Sequence, residues 1–416
     1  MRRIAVVGGG ISGLASAHLL SARHEVHLFE REPRLGGHTH TVMAESSTGP
    51  VALDTGFLVH NDRTYRLLIR LFAELDVPCA TSDMSFSVSC PRTGFEYSSR
   101  GLRGFFAQRR NLWSREHLVL LSEIRRFNRE GARALRSSAV DRMTLGEFLA
   151  AGRFTDLFVD RYLAPMASAI WSASPEAIGS FPAATLMRFL ANHGLLSISD
   201  QPVWRVVRGG SSSYIPKLTA RFARRIRVGT SIESITRHDR GVTVRLAGGV
   251  TADFDEVVFA CHGDQVLPLL ADPSDAEREV FSGFKTTANT VVLHTDTSVL
   301  PARADARASW NYRLRPDRDG APTVTYHLNR LQSLDTPEQF CVTLNPDGIV
   351  RDDQVLRTMV YRHPLYDHAA IRSQDRWGEV SGVRRTHYCG AYWYYGFHED
   401  GLRSAVRVAA ALGVRW

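Results

Sequence analysis

A parallel α/β sheet interrupted by an inserted α+β region is the fold class that this 416-residue sequence predicts, and three observations carry it. The first is Arg3–Val7, a short apolar run leading straight into Gly8, Gly10 and Gly13 and then into a helical pattern. The second is the return of strand-like runs at 226–235, 242–246 and 256–260 after a long helical stretch. The third is a closing strand, glycine turn and helix over 387–412. Residues 1–62, 203–265 and 380–416 are therefore assigned to the parallel-sheet domain. Residues 63–202 and 266–379 form the insertion, a helical layer plus an antiparallel sheet.

Each glycine of the opening turn has its own task. Gly8 permits the tight turn, Gly10 lets the backbone approach a pyrophosphate, and Gly13 lets the helix pack on the strand. The helix start at Ile11 and Ser12 offers unpaired amides to an anion. The second strand, Glu25–Phe29, runs into Glu30 and Arg31, and the Glu30 carboxylate stands where a ribose diol needs an acceptor. Just beyond, Gly36 and Gly37, followed by His38 and Thr39, can fold amides back over the same pyrophosphate. This pair resembles the second glycine motif of the FAD-binding amine oxidase and phytoene desaturase superfamily. The resemblance implies FAD as cofactor and a glutathione-reductase-like, amine oxidase type of Rossmann-like FAD-binding domain with an α+β substrate domain inserted in two segments.

Composition narrows the setting. At 44% hydrophobic and 23% charged residues the chain is an ordinary globular one. No stretch reaches the roughly 18 uninterrupted apolar residues of a membrane span, and the apolar start is broken at once by glycines, so no cleaved signal is expected. Five cysteines without a close pair point to free thiols in a reducing cytoplasm and to no metal site. The net charge of +8 favours an anionic partner. No nucleic-acid-binding motif is present, so nucleic acid is excluded and a lipid surface, the inner face of the membrane, is the better candidate.

Along the chain, the run 51–61 is β-rich and broken at Gly56 and Phe57, which in the superfamily passes near the flavin. Leu67, Leu68, Leu71, Phe72 and Leu75 have helical spacing before Pro78. Residues 82–88 and 95–97 alternate like strands. Over 100–136, Leu102, Phe105, Phe106, Leu112 and Trp113 are interleaved with arginines and lead into an amphipathic helix. Two readings stand for this stretch: peripheral membrane contact, or a solvated arginine face over a helical core. Residues 144–196 are helical throughout, a layer able to line a long apolar pocket. Ile232 resembles the superfamily's backbone contact to adenine.

The closing segment supplies a second anion-ready helix start, with the final helix expected over Arg403–Leu412 and its beginning at Asp400, Gly401 and Leu402. In the superfamily this start meets the flavin pyrimidine edge. Gly390, Ala391 and Tyr392 with Gly396–Gly401, together with Leu35–His38, Asp83–Ser87, Ile170–Ser172 and Thr343–Pro346, resemble a narrower family. These are the FAD oxidoreductases associated with cyclopropane fatty acid synthases, including the flavin domain of plant synthases and the bacterial methyl fatty acid desaturase of furan fatty acid synthesis. One departure is that Gly390-Ala391 stands where many superfamily members carry an acid after the glycine.

That resemblance implies a fatty acyl or phospholipid substrate, methyl-branched and already unsaturated, and a cyclopropane or methyl fatty acid synthase as partner. An allylic hydride would pass to the flavin and a base would take a proton, giving a conjugated diene. Candidate catalytic residues are His398, Glu399 and Tyr395, with His262 and His294 as alternatives; the two lysines, Lys217 and Lys285, have no convincing register. A fatty acid double-bond isomerase, an amine oxidase and a non-catalytic flavoprotein partner of a lipid methyltransferase remain as alternatives.

Overall fold

The computed structural model describes residues 1–136, 138–196, 201–315 and 322–416. Its organising element is a five-stranded, all-parallel sheet in the order Ile226–Arg227, Glu25–Phe29, Arg3–Val7, Glu256–Phe259, Thr386–Tyr388. The first strand lies near its centre, with Ile4 opposite both Val26 and Glu256. Ile4, Ala5, Val6, Val257, Val258 and Phe259 are all fully buried. Such unbroken apolar runs are what a sheet covered on both faces requires. The helix Ile11–Leu20 packs on one side with nearly every residue buried, the last helix beside it, and a three-stranded antiparallel unit over Ile232–Phe254 adjoins the sheet.

The second core lies between a seven-stranded sheet and a helical layer. The strand order is Val355–Leu365, Lys285–His294, Cys341–Leu344, Thr323–His327, Trp310–Arg313, Phe86–Cys90, Phe95–Ser98, antiparallel except where Trp310–Arg313 runs parallel to Phe86–Cys90. Leu293, Val324 and Val342 on the sheet share one apolar cluster with Phe127, Phe158 and Leu190 from the helices. The fold is thus the α/β architecture expected, with a mixed sheet in the inserted part.

Three expectations need correcting. The last helix starts at His398, not Arg403, because the amide of extended Phe397 donates to the Asp400 carboxylate (3.0 Å) and caps it there. Residues 82–85 form a turn, closed by the Ser85 amide on Asp83 Oδ1 (2.8 Å), so the strand begins at Phe86. The cores also cross the expected boundaries: Leu68, Leu71 and Phe72 from the helix Arg66–Glu74, and Val266, Val280, Phe281 and Trp377, belong to the parallel-sheet cluster. The helix Arg66–Glu74 packs against the last helix, His398–Ala411.

Arg237 ties the antiparallel unit to the helix Asp275–Ser282. Its guanidinium grips both oxygens of Glu277, with both side chains almost wholly buried, and the Tyr388 hydroxyl donates to the same carboxylate. A buried bidentate pair is costly to break from one side only. Either Arg237→Met or Glu277→Leu alone is expected to destabilise the protein by about 3–5 kcal/mol, and the double variant by less than the sum, read from urea unfolding midpoints.

Candidate functional site

A single cavity of about 760 Å³ runs from the opening glycine turn to the helical layer, so both domains wall it. At one end the two glycine segments touch. The Gly36 amide donates to the Gly9 carbonyl (2.8 Å), and a Cβ on Gly37 would stand 3.1 Å from Gly10 Cα. A Cβ on Gly13 would overlap the Gly8 carbonyl oxygen, so helix and strand meet backbone to backbone. Gly10 is the opposite case: a Cβ there would meet no atom within 4 Å, since that space belongs to the cavity. Glu30 lines the same end and braces the turn, accepting from the amides of Gly9 (2.6 Å) and Glu32 (2.8 Å). Ser231 and Ile232 close it.

The last helix comes in against this turn. A Cβ on Gly401 would lie 2.7 Å from Ile11 Cγ2 and 2.8 Å from Ser12 Oγ, so two helix N-termini converge on one slot. Ile11, Ser12, Arg31, Gly56 and Phe57 line the cavity, as do Gly390, Ala391 and His398. Gly13, Thr39, Asp400, Gly401 and Leu402 stand behind the wall, where they position those that do. A slot of backbone amides with an acid at one end and a helix start at the other fits an extended dinucleotide such as FAD.

His398 stacks on Phe57 with ring centroids 3.7 Å apart, and its Nε2 meets Thr39 Oγ1 (2.8 Å), which also bonds the Tyr214 hydroxyl (2.7 Å). Burial, with His60 nearby, lowers its pKa to about 3, so the ring is neutral. The other two catalytic candidates are placed otherwise. The Glu399 carboxylate accepts from the amides of Leu67 and Leu68 (both 2.9 Å), capping the helix Arg66–Glu74, and does not line the cavity. Tyr395 offers its backbone carbonyl to the Trp171 indole (3.3 Å) and lies outside the lining as well. Lys285 pairs with Asp367, Lys217 bonds the Asp76 carbonyl, and His294 is buried in the sheet against Thr343.

The wall instead carries a histidine cluster. His38, His262 and His363 come from three separate segments, with His38 centroids 5.1 Å from His363, 6.2 Å from His262 and 5.2 Å from Tyr361. Asn289 donates to His363 Nδ1 (2.9 Å), its orientation fixed by Asn345 donating to its oxygen, so the proton of His363 sits on Nε2. His38 Nε2 is buried and has no hydrogen-bond partner among the described residues. Burial, with its neighbouring imidazoles adding to it, holds His38 well below the usual histidine range, and burial lowers His363 to about 4. Tyr361 and His363 alternate along the strand Val355–Leu365, a spacing that could have marked them; His193, for which the sequence offers no positional argument, also lines the cavity.

Away from the glycines the wall becomes apolar: Met84, Phe86, Met166, Ala169, Ile170 and Phe189, then Leu195, Trp204, Trp310 and Tyr326. Among the described residues this end holds no carboxylate. The acids lining the cavity are Glu30 and Glu32 at the glycine end and Asp264, whose Oδ2 is taken up by Thr286 and Arg362.

A family model described as flavin containing amine oxidoreductase matches residues 11–344. Solved structures share the fold at low identity. A CLA-producing fatty acid isomerase from P. acnes superposes with a TM-score of 0.69 at 17% identity, covering 97% of each chain. A putrescine oxidase bound to putrescine gives 0.69 at 14%, covering 100% of this chain and 99% of that one. Cyclohexylamine oxidase from Brevibacterium oxydans IH-35A gives 0.67 at 13%, covering 99% and 98%. No curated protein matches the chain in sequence. The cradle and the family match agree on FAD as the cofactor.

Two outcomes are expected. Gly10→Ala leaves the apoprotein's thermal stability unchanged but weakens FAD binding at least about tenfold, measured by flavin titration, because its methyl fills cofactor space. Burial raises the Asp400 carboxyl to about 7, its hydrogen bond from Phe397 opposing and Glu399 reinforcing the shift. From about 4, the unfolded value, up to about 7 the folded protein holds a proton that the unfolded chain has lost, so stability falls as pH rises through this window. Asp400→Asn therefore flattens the fall in apoprotein Tm across it.

Proposed function

The chain belongs to the flavin-containing amine oxidoreductase family, and within that family of FAD-dependent oxidoreductases we propose that it desaturates a methyl-branched, already unsaturated fatty acyl chain. The observation that supports this reading is the apolar, carboxylate-free end of the cavity. An ammonium substrate would need a counter-charge there, since an unpaired charge in an apolar slot is strongly disfavoured. A hydrocarbon chain needs only a dry wall of about the shape that Met166, Ala169, Ile170 and Phe189 provide.

FAD supplies the hydride acceptor. The rest falls to side chains. The apolar wall excludes water from the reacting carbon and holds the chain in one register. An allylic C–H with a methyl substituent on the neighbouring double bond is the most readily oxidised position of such a chain, and loss of a further proton completes a conjugated diene. His38 Nε2 is the candidate acceptor of that proton, being neutral, without a hydrogen-bond partner among the described residues and in the wall beside His262 and His363. The isomerase among the structural neighbours acts on a fatty acid, which agrees with this reading; at 17% identity that likeness bears on the fold alone.

Anaerobic single turnover of the FAD-loaded protein with methyl-branched monounsaturated phospholipids is expected to bleach the flavin and yield a diene lacking two hydrogens, identified by mass spectrometry. A product of unchanged mass with no lasting bleaching means isomerisation, and turnover of primary amines alone means amine oxidation; either overturns the proposal. Ala169→Phe is expected to bind FAD normally while shifting kcat/KM toward shorter chains by about tenfold or more.

A further inference from the structure

We propose that the arginine-rich surface over residues 100–118 docks the protein on anionic phospholipid bilayers. Of the twelve large hydrophobic side chains that stand exposed among the described residues, four fall in this short stretch: Leu102, Leu112, Trp113 and Leu118. Trp113 is 89% exposed and Leu102 is 73% exposed. They are not core residues left over from packing, because the same segment buries a separate face through His117, Leu120 and Phe127. Charge accompanies them. Residues 100–136 carry ten arginines and three glutamates, a surplus close to the +8 of the entire chain. Arg100, Arg109 and Arg115 are exposed and make no ion pair among the described residues.

The patch is held rigidly. His117 Nε2 bonds the Phe105 carbonyl (2.8 Å) and its ring lies 4.3 Å from the Phe105 ring, clamping the short helix Gly101–Phe105 to the start of the helix Arg115–Ala134. Ser114 caps that helix, so Trp113 is the last residue before a fixed turn. A preset indole and isolated leucines among arginines suit the headgroup region. The indole belongs at that depth, the arginines keep their heads at the phosphates, and each basic residue near an anionic surface strengthens binding about fivefold. A protein partner would instead be met by a contiguous apolar patch with polar rim.

The position of the patch gives docking a use. Phe86, in the apolar end of the cavity, exchanges hydrogen bonds with Ser99: its amide donates to Ser99 Oγ (2.9 Å) and its carbonyl accepts from the Ser99 amide (2.7 Å). Arg100 follows directly. The acyl end of the cavity and the docking surface thus share one segment of backbone. This use rests on the fatty acyl reading, whereas docking itself does not.

Cosedimentation of the FAD-loaded protein with phosphatidylcholine vesicles, with and without phosphatidylglycerol, tests it without substrate turnover. Wild type is expected to partition onto the anionic vesicles with a blue shift in tryptophan emission that Trp113→Phe abolishes. Arg109→Glu/Arg110→Glu and Trp113→Ala are each expected to weaken binding at least about tenfold. Both variants keep their flavin absorbance and full turnover of detergent-dispersed substrate. No binding to anionic vesicles at low salt, or binding indifferent to these substitutions, overturns docking. Failure of turnover with every lipid while docking persists would instead count against the acyl reading.

Discussion

Backbone meeting backbone at the glycines is the constraint on which the rest of the structure depends. Gly13 against the Gly8 carbonyl sets how closely the first helix lies on the first strand, and Gly37 against Gly10 closes the second glycine segment over the first. Gly401 brings the last helix onto Ile11 and Ser12 in the same way. A Cβ at any of these places would push the meeting segments apart. Because the three approaches share one small volume, the slot they leave has fixed dimensions before any cofactor enters it.

The inserted domain builds on that fixed edge. Its long strand Val355–Leu365 carries Tyr361 and His363 to the cavity. There the Tyr361 hydroxyl is held by His40 and Thr55, residues that follow the second glycine pair. The wall is dry enough to keep several imidazoles neutral, and dryness serves both halves of the proposed reaction: it spares a hydrocarbon from competing water and leaves ring nitrogens free to accept a proton. Neutral histidines in an apolar wall are otherwise expensive to maintain, which is why each has found a hydrogen bond or a shared ring contact.

Much of the fold was legible in the sequence because its signals are local. The glycine spacing, the acid at Glu30 and the strand-helix alternation each span a few residues, and they placed the first two strands, the first helix and the cofactor end. What was not legible depended on contacts distant in sequence. Glu399 sits beside His398 and looks equally catalytic, yet its carboxylate caps a helix more than 300 residues away in sequence. His363 carries no local mark beyond its alternation with Tyr361, and only the tertiary fold brings it near His38, more than 300 residues away in sequence. The helix start at His398 was missed for a smaller reason, a side-chain cap at Asp400 reaching back to Phe397.

The order of strands in the parallel sheet also governs when the protein can become whole during synthesis. The central strand Arg3–Val7 emerges first, but its neighbour Glu256–Phe259 follows some 250 residues later, and Thr386–Tyr388 and the helix His398–Ala411 later still. For most of translation the nascent chain therefore carries an apolar strand with one edge unpaired, the form most exposed to aggregation and most in need of a chaperone. The cofactor, whose slot needs all three segments, can bind only as a late clasp, adding its stabilisation once the last helix is in place.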